Sequence, residues 1–293
     1  MTLSRRQVGE LLDAHGLRPR RALGQNFVVD PNTVRRIARL AGVGPGSRVV
    51  EIGAGLGSLT LALADTGATV VAVEVDPALV AVLGVQLQGR GASVVCADAL
   101  TLAWEPFLAE VDPPGAAPPA PWEVVANLPY NVAVPIVVRL LEEAPSVATL
   151  LVMVQREVGE RLVAGPGSKQ YGAVSVKVAY HATAAVVGAV PASVFVPRPK
   201  VDSVLVRMTR RPAVAVDPGR VAPERLFAVV RAGFAQRRKM LRRALEGVVP
   251  AEAFAAAGID PARRAETLSV EDWGRLAAWA PAAGAAGAPG PVP

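Results

Sequence analysis

Short apolar runs alternate with helical patterns along the first two thirds of the chain, and no other feature restricts the fold as much. Asn32–Ala41 has helical spacing, with Asp30 placed to cap it and Pro31 in its first turn. Arg48–Ile52 then reads as a strand, Leu59–Asp65 as a helix, Thr69–Val75 as a strand and Ala78–Gln88 as a helix. Ser93–Ala97 and Trp122–Asn127 read as strands, and Ala133–Glu143 as a helix. Short strands joined through helices are parallel, so the pattern predicts an α/β fold with a doubly wound, mostly parallel sheet covered on both faces.

The strand pattern stops near Arg211–Pro218, and Pro223–Leu245 and Val270–Trp279 are helical in spacing. This predicts an α/β domain over 1–212 and a small helical domain over 213–280. The Ala-, Gly- and Pro-rich tail, 281–293, is expected to be disordered. Asp112–Pro121 (DPPGAAPPAP) can form neither a helix nor a central strand and reads as a surface loop.

Several classes are excluded. Residues 178–197 carry no Asp, Glu, Lys or Arg, but Gly188 and Pro191 interrupt them, so they predict two short buried strands around a turn and no membrane span. No apolar run follows Arg5 and Arg6, so no secretory signal is read, and the one cysteine, Cys96, rules out an internal disulfide framework. The expected location is the cytoplasm. His15 and His181 lack metal-ligand spacing, and a reaction without a protein-bound metal is expected. Nothing demands more than a monomer. The net charge of +6 is polarised: residues 198–243 hold thirteen Lys or Arg against three acids, and residues 1–40 hold eight Arg against three. Two basic blocks around an acidic middle suggest a polyanionic partner.

The first strand runs into E-I-G-A-G-L-G at 51–57, where Gly53, Gly55 and Gly57 allow a sharp turn close to a ligand. Their spacing is not the G-x-G-x-x-G that cradles a pyrophosphate, and no Lys precedes Lys169. Glu74 ends the next strand, where an acid can bind ribose hydroxyls, while Asp76 reads better as the cap of the following helix. Asp98 ends the third strand, within reach of an adenine amino group. Strand ends of this kind suit an adenosine ligand lacking a pyrophosphate, with S-adenosyl-L-methionine the leading candidate.

Asn127-Leu128-Pro129-Tyr130 closes the fourth strand. The exocyclic amine of a base is a poor nucleophile because its lone pair is delocalised into the ring. Accepting both N–H protons, one on the Asn127 amide oxygen and one on the Leu128 carbonyl, draws the nitrogen toward tetrahedral geometry and aims its lone pair at a methyl donor. Pro129 stiffens the turn, and Tyr130 offers a face for a flipped-out base.

With these motifs the chain resembles the ribosomal RNA adenine N6-dimethyltransferases, in particular the small-subunit branch associated with kasugamycin sensitivity. The resemblance runs from about Leu23 to about Trp273. It implies the Rossmann-like fold of class I S-adenosyl-L-methionine-dependent methyltransferases and dimethylation at N6 of two adjacent adenosines near the 3′ end of small-subunit rRNA. The substrate would be that rRNA or a small-subunit assembly intermediate, making the chain a ribosome-biogenesis enzyme.

Leu23-Gly24-Gln25-Asn26-Phe27 resembles the family's N-terminal motif, which closes over the cofactor. Asn26, Val28, Gly53, Gly55, Glu74, Asp98 and Asn127 match its cofactor contacts. Phe195, in Phe195–Ser203, would face Tyr130 across the base, although the residues alone allow a core position equally. Phe234–Leu241 resembles a basic helix in which Arg237, Arg238, Lys239, Arg242 and Arg243 would contact RNA phosphates.

The chain departs from the family pattern at Val28, Ala126, Ala133, Val134, Met240 and Arg243. Three alternatives stand beside this reading. One is the large-subunit, macrolide-resistance branch. Another is a non-catalytic RNA-binding assembly factor, and the third is a nicotinamide-dependent oxidoreductase, which the glycine spacing disfavours.

Overall fold

A computed structural model describes residues 2–20, 23–112 and 120–279. The tail expected to be disordered lies outside the described residues, as does most of the proline-rich stretch. The described residues divide into two compact units, one within 2–163 and 181–212 and the other within 164–180 and 213–279.

The first unit opens with α1 (Arg5–Ala14), where Ser4 and Gln7 form a reciprocal capping box. The two-residue strand β1 (Phe27–Val28) leads into α2 (Pro31–Ala41). The Asp30 carboxylate accepts the Thr33 N–H at 2.9 Å and caps that helix. β2 (Arg48–Ile52), α3 (Ser58–Ala64), β3 (Thr69–Glu74), α4 (Pro77–Gln86) and β4 (Ala92–Cys96) alternate as the sequence pattern predicts. Asp76 caps α4 through the Ala78 N–H at 3.1 Å. α5 (Trp104–Glu110), β5 (Trp122–Asn127), α6 (Ala133–Glu143), β6 (Val147–Gln155) and α7 (Arg156–Val163) follow.

The chain passes into the second unit through α8 (Ala173–His181) and returns to the first for β7 (Ala182–Val190), β8 (Phe195–Val196) and β9 (Ser203–Arg210). The seven-stranded sheet has the order β4-β3-β2-β5-β6-β9-β7. Its first five strands are parallel, and β9 pairs antiparallel with both neighbours. Every residue of β2 is buried, as a strand covered on both faces requires. The strand order reverses between β2 and β5, which makes the carboxyl ends of these two strands the place for a ligand.

The second unit adds α9 (Pro223–Ala235), α10 (Leu241–Ala244), α11 (Ala251–Ala257) and α12 (Val270–Ala277). Tyr171, Tyr180, Leu226, Val230 and Trp273 are buried together in its core. The Tyr171 hydroxyl donates to the Leu268 carbonyl at 2.8 Å.

Three expectations need correction. Residues 164–180 pack with the helical unit, because Tyr171, Val176 and Tyr180 bury themselves in its core. Residues 178–197 are not two short buried strands. The first four finish α8, and β7 is a nine-residue strand at the sheet edge with seven of its nine positions exposed or partly so. Pro223–Leu245 is not one helix either. It stops at Ala235, turns through a Lys239 N–H to Gln236 carbonyl bond of 2.8 Å, and resumes at Leu241. Met240 bridges to Arg264, and the Leu241 N–H donates to the Arg263 carbonyl at 2.8 Å, so tertiary bonds replace the helical ladder.

Candidate active site

The carboxyl ends of β2, β3, β4 and β5, together with residues 23–28, enclose a cavity of about 290 Å³. Of the residues singled out in the sequence, Asn26, Val28, Gly53, Gly55, Glu74, Asp98, Asn127, Leu128 and Pro129 all line it. These residues come from five separate stretches: the parallel sheet brings four of them together because its strands end on the same side, and residues 26–28 come with the separate β1–β8 pair.

The glycine turn is close-packed. Gly53 and Gly55 have φ of 72° and 59°, in the region that favours glycine. A side chain at Gly55 would meet the Phe27 ring at 2.8 Å, and one at Gly53 would meet Pro129 at 3.1 Å. Glu74 clamps this turn: one carboxylate oxygen accepts the Gly55 N–H at 2.8 Å, and the other accepts those of Val75 and Asp76, each at 3.0 Å. Burial raises the Glu74 pKa, and the three N–H groups work against that rise. Asp98 is exposed at the end of β4, where one oxygen accepts the Leu100 N–H at 2.8 Å. Val75, 43% exposed, adds an apolar wall.

Residues 24–28 touch the ends of three strands. The Gln25 amide lies 3.4 Å from the Asp76 carboxylate, Phe27 covers Gly55, and the Asn26 carbonyl accepts the Asn127 amide N–H at 3.0 Å. The Asn26 side chain donates back to the Gly24 carbonyl at 3.0 Å. The bond to Asn26 decides how the Asn127 carboxamide is turned, since a flipped amide would set oxygen against oxygen. It leaves Asn127 Oδ1 buried without a hydrogen-bond partner. A buried acceptor left open costs about 1–3 kcal/mol, and an N–H from a ligand would recover it.

Two sequence-predicted residues lie outside the cavity wall. Tyr130 follows it, partly exposed, with its hydroxyl 2.8 Å from Ser203 Oγ. Phe195 needs correction. It is 1% exposed and packs in the core with Val28, Val34 and Leu205, because β8 pairs with β1 and turns the ring inward.

Glu51 was missed, although it heads the glycine string. It lines the cavity at 2% exposure, with Oε2 unpartnered. Burial pushes its pKa up to about 8; the nearby Glu74 charge adds to the rise and the Thr60 hydroxyl opposes it.

In the second unit Arg238, Lys239, Arg242 and Arg243 are exposed, with Arg243 3.5 Å from Glu246. Arg237 differs: its guanidinium donates to Glu266 at 2.9 Å and to the Lys169 carbonyl at 2.6 Å. Among the described residues no cluster of three His, Cys, Asp or Glu could hold a metal, and no helix is long and apolar enough to cross a membrane.

The arrangement suits an adenosine-bearing ligand. Carboxylates stand at two successive strand ends, an apolar wall lies between them, and an unsatisfied amide oxygen stands at a third strand end. A family model described as ribosomal RNA adenine dimethylase matches residues 16–281. The chain is 51% identical over 302 aligned positions to the ribosomal RNA small subunit methyltransferase A of Kineococcus radiotolerans, covering 99% of this chain and 96% of the relative. A solved 23S rRNA methyltransferase has a TM-score of 0.65 at 29% identity, over 86% of this chain and 98% of that one. A dimethyladenosine transferase from Plasmodium falciparum shares the fold, with a TM-score of 0.68 at 21% identity over 84% and 94%.

Proposed function

The chain belongs to the ribosomal RNA adenine dimethylase family, and from that premise we propose how its own residues carry out the reaction. It is an S-adenosyl-L-methionine-dependent enzyme that dimethylates adenosine at N6 in small-subunit rRNA. The targets are two adjacent adenosines of the 3′-terminal hairpin. A monomer meets them in the cytoplasm, in free rRNA or in an assembly intermediate.

The observation that carries this reading is the Asn127 carboxamide, with its N–H engaged by Asn26 and its oxygen buried and open. S-adenosyl-L-methionine supplies an electrophilic methyl when bound. Glu74 keeps the glycine turn in place and offers its remaining lone pairs to ribose hydroxyls, and Asp98 accepts from the adenine amino group of the cofactor. Asn26 and Val28 close the methionine end.

Asn127 Oδ1 and the Leu128 carbonyl take the two N–H groups of the target amine, while Tyr130 stacks against its ring. No residue removes a proton before attack, because the proton leaves to water once nitrogen carries the methyl. After the first transfer only one N–H remains, so the second round uses one of the two acceptors and needs room for a methyl at the other.

Arg238, Lys239, Arg242 and Arg243 supply phosphate contacts that position the RNA without reading its sequence. Arg237 instead holds the turn through Glu266 and Lys169.

The test is methyl transfer from labelled S-adenosyl-L-methionine to unmethylated small subunits and, separately, to large-subunit rRNA, with nucleoside analysis. Dimethyladenosine in the small subunit is expected. Label confined to the large-subunit RNA would overturn the choice of substrate, and binding without transfer would overturn the enzyme reading.

A further inference from the structure

Tyr130 follows the cavity wall and is partly exposed, and its ring reaches toward β9. At the far end, the phenol oxygen lies 2.8 Å from Ser203 Oγ. Ser203 has no exposed surface. It begins β9, paired with Gln155 of β6 and Val190 of β7, and so sits between two strands of the sheet.

The residue before Ser203 is braced as well. The Asp202 carboxylate accepts the Ala192 N–H at 3.0 Å and pairs with Arg156 at 3.4 Å, while the Asp202 carbonyl accepts the Arg156 N–H at 3.0 Å. The Ser203 hydroxyl is therefore carried on backbone paired on both sides and directly following the bonded Asp202. Phe195, 1% exposed, is buried in the core and presents no open ring face to a base. The torsion that sets an aromatic ring plane is broad, and backbone placement alone does not fix it.

We propose that Ser203 is a positioning residue for the target base: its hydroxyl fixes the plane of the Tyr130 ring and thereby the angle at which the stacked adenine presents N6 to Asn127. The inference rests on the reading of Tyr130 as the stacking face. Ser203 touches no reacting atom and acts only through Tyr130.

The test uses the full-length enzyme with Tyr130→Phe, Ser203→Ala, the double variant and Tyr130→Ala. Tyr130→Phe keeps the ring and leaves the buried serine in place, so a folding defect in Ser203→Ala does not end the experiment. One neutral hydrogen bond predicts a fall in kcat/KM for RNA of about 3- to 10-fold in either single variant. The double variant should be no worse than either single one, because both remove the same bond.

The second readout is the fluorescence of RNA carrying 2-aminopurine at the target adenosine. Its stacked, quenched population should fall in both single variants at unchanged affinity for S-adenosyl-L-methionine, a change that a merely structural serine would not produce. Additive losses in the double variant would overturn the proposal. So would full activity in both single variants when Tyr130→Ala has lost at least about 100-fold. Full activity in Tyr130→Ala would instead overturn the stacking reading itself.

Discussion

Replacing Glu51 by Gln should make the protein more stable above neutral pH, although the change lies in the wall of the cavity. Glu51 is 2% exposed, and burial lifts its pKa from 4.5 to about 8. The folded state therefore holds this proton far more tightly than the unfolded chain does. The resulting stability is fully present below pH 4.5 and is lost progressively as pH rises toward 8. A shift of about 3.5 pH units at ~1.4 kcal/mol each sets the full loss on the order of 5 kcal/mol, of which about 3 kcal/mol has gone by pH 7.

Glutamine keeps the shape, stays neutral, and places an amide beside the buried Thr60 hydroxyl. In thermal denaturation from pH 5 to 9, the two proteins should be similar at pH 5, and the variant should be ahead by about 6–12 °C at pH 7. Urea titrations at the same pH values should give the matching free energies. Parallel stability curves, or a variant that is less stable by the same amount at every pH, would refute the assignment of a neutral, buried carboxyl to Glu51.

Gly55→Ala combines a φ of 59° with a new methyl 2.8 Å from the Phe27 ring, and calorimetry should show stability down by about 1–3 kcal/mol together with weakened S-adenosyl-L-methionine binding. Tyr171→Phe strips the Leu268 carbonyl of a 2.8 Å partner in the second unit and should cost about 1 kcal/mol in urea denaturation, with methyl transfer by the folded enzyme retained. Lys239→Ala and Arg242→Ala should each reduce the salt dependence of RNA binding by about one counterion. Arg237→Ala should lower the melting temperature more than the salt slope, because its guanidinium is already engaged.

The parallel half of the sheet was legible because buried parallel strands are continuous apolar runs, and β2 and β5 begin and end where the pattern puts them. Asp30 and Asp76 were readable as caps for a local reason: each bonds an N–H two or three residues on. The same kind of signal, Ser-x-x-Gln at Ser4–Gln7, marks α1 and was passed over.

What stayed hidden depends on contacts between distant residues. Phe195 is drawn into the core by a strand pair with β1, 167 residues earlier at Val28. The break after Ala235 comes from bonds to Arg263 and Arg264, which no helical periodicity in 223–245 could disclose. Glu51 sat in plain view in the glycine string, but its pKa follows from burial on both sheet faces, a property of the packed sheet and not of the motif. Ser203 ends the Phe195–Ser203 stretch, yet its meeting with Tyr130 spans 73 residues.

The central claim is that Asn127 Oδ1, left open by the bond to Asn26, draws the target amine into reactive geometry. Single-turnover methyl transfer to unmethylated small subunits, at saturating S-adenosyl-L-methionine and RNA, tests it with the wild-type enzyme and Asn127→Ala. Saturation removes binding from the comparison, so the rate reports the chemical step alone. The account predicts a fall of at least about 100-fold, the usual consequence of deleting one preorganised hydrogen-bonding group in a closed site. A variant rate within about 3-fold of wild type would contradict it, because Asn127 would then contribute less than a single ordinary hydrogen bond.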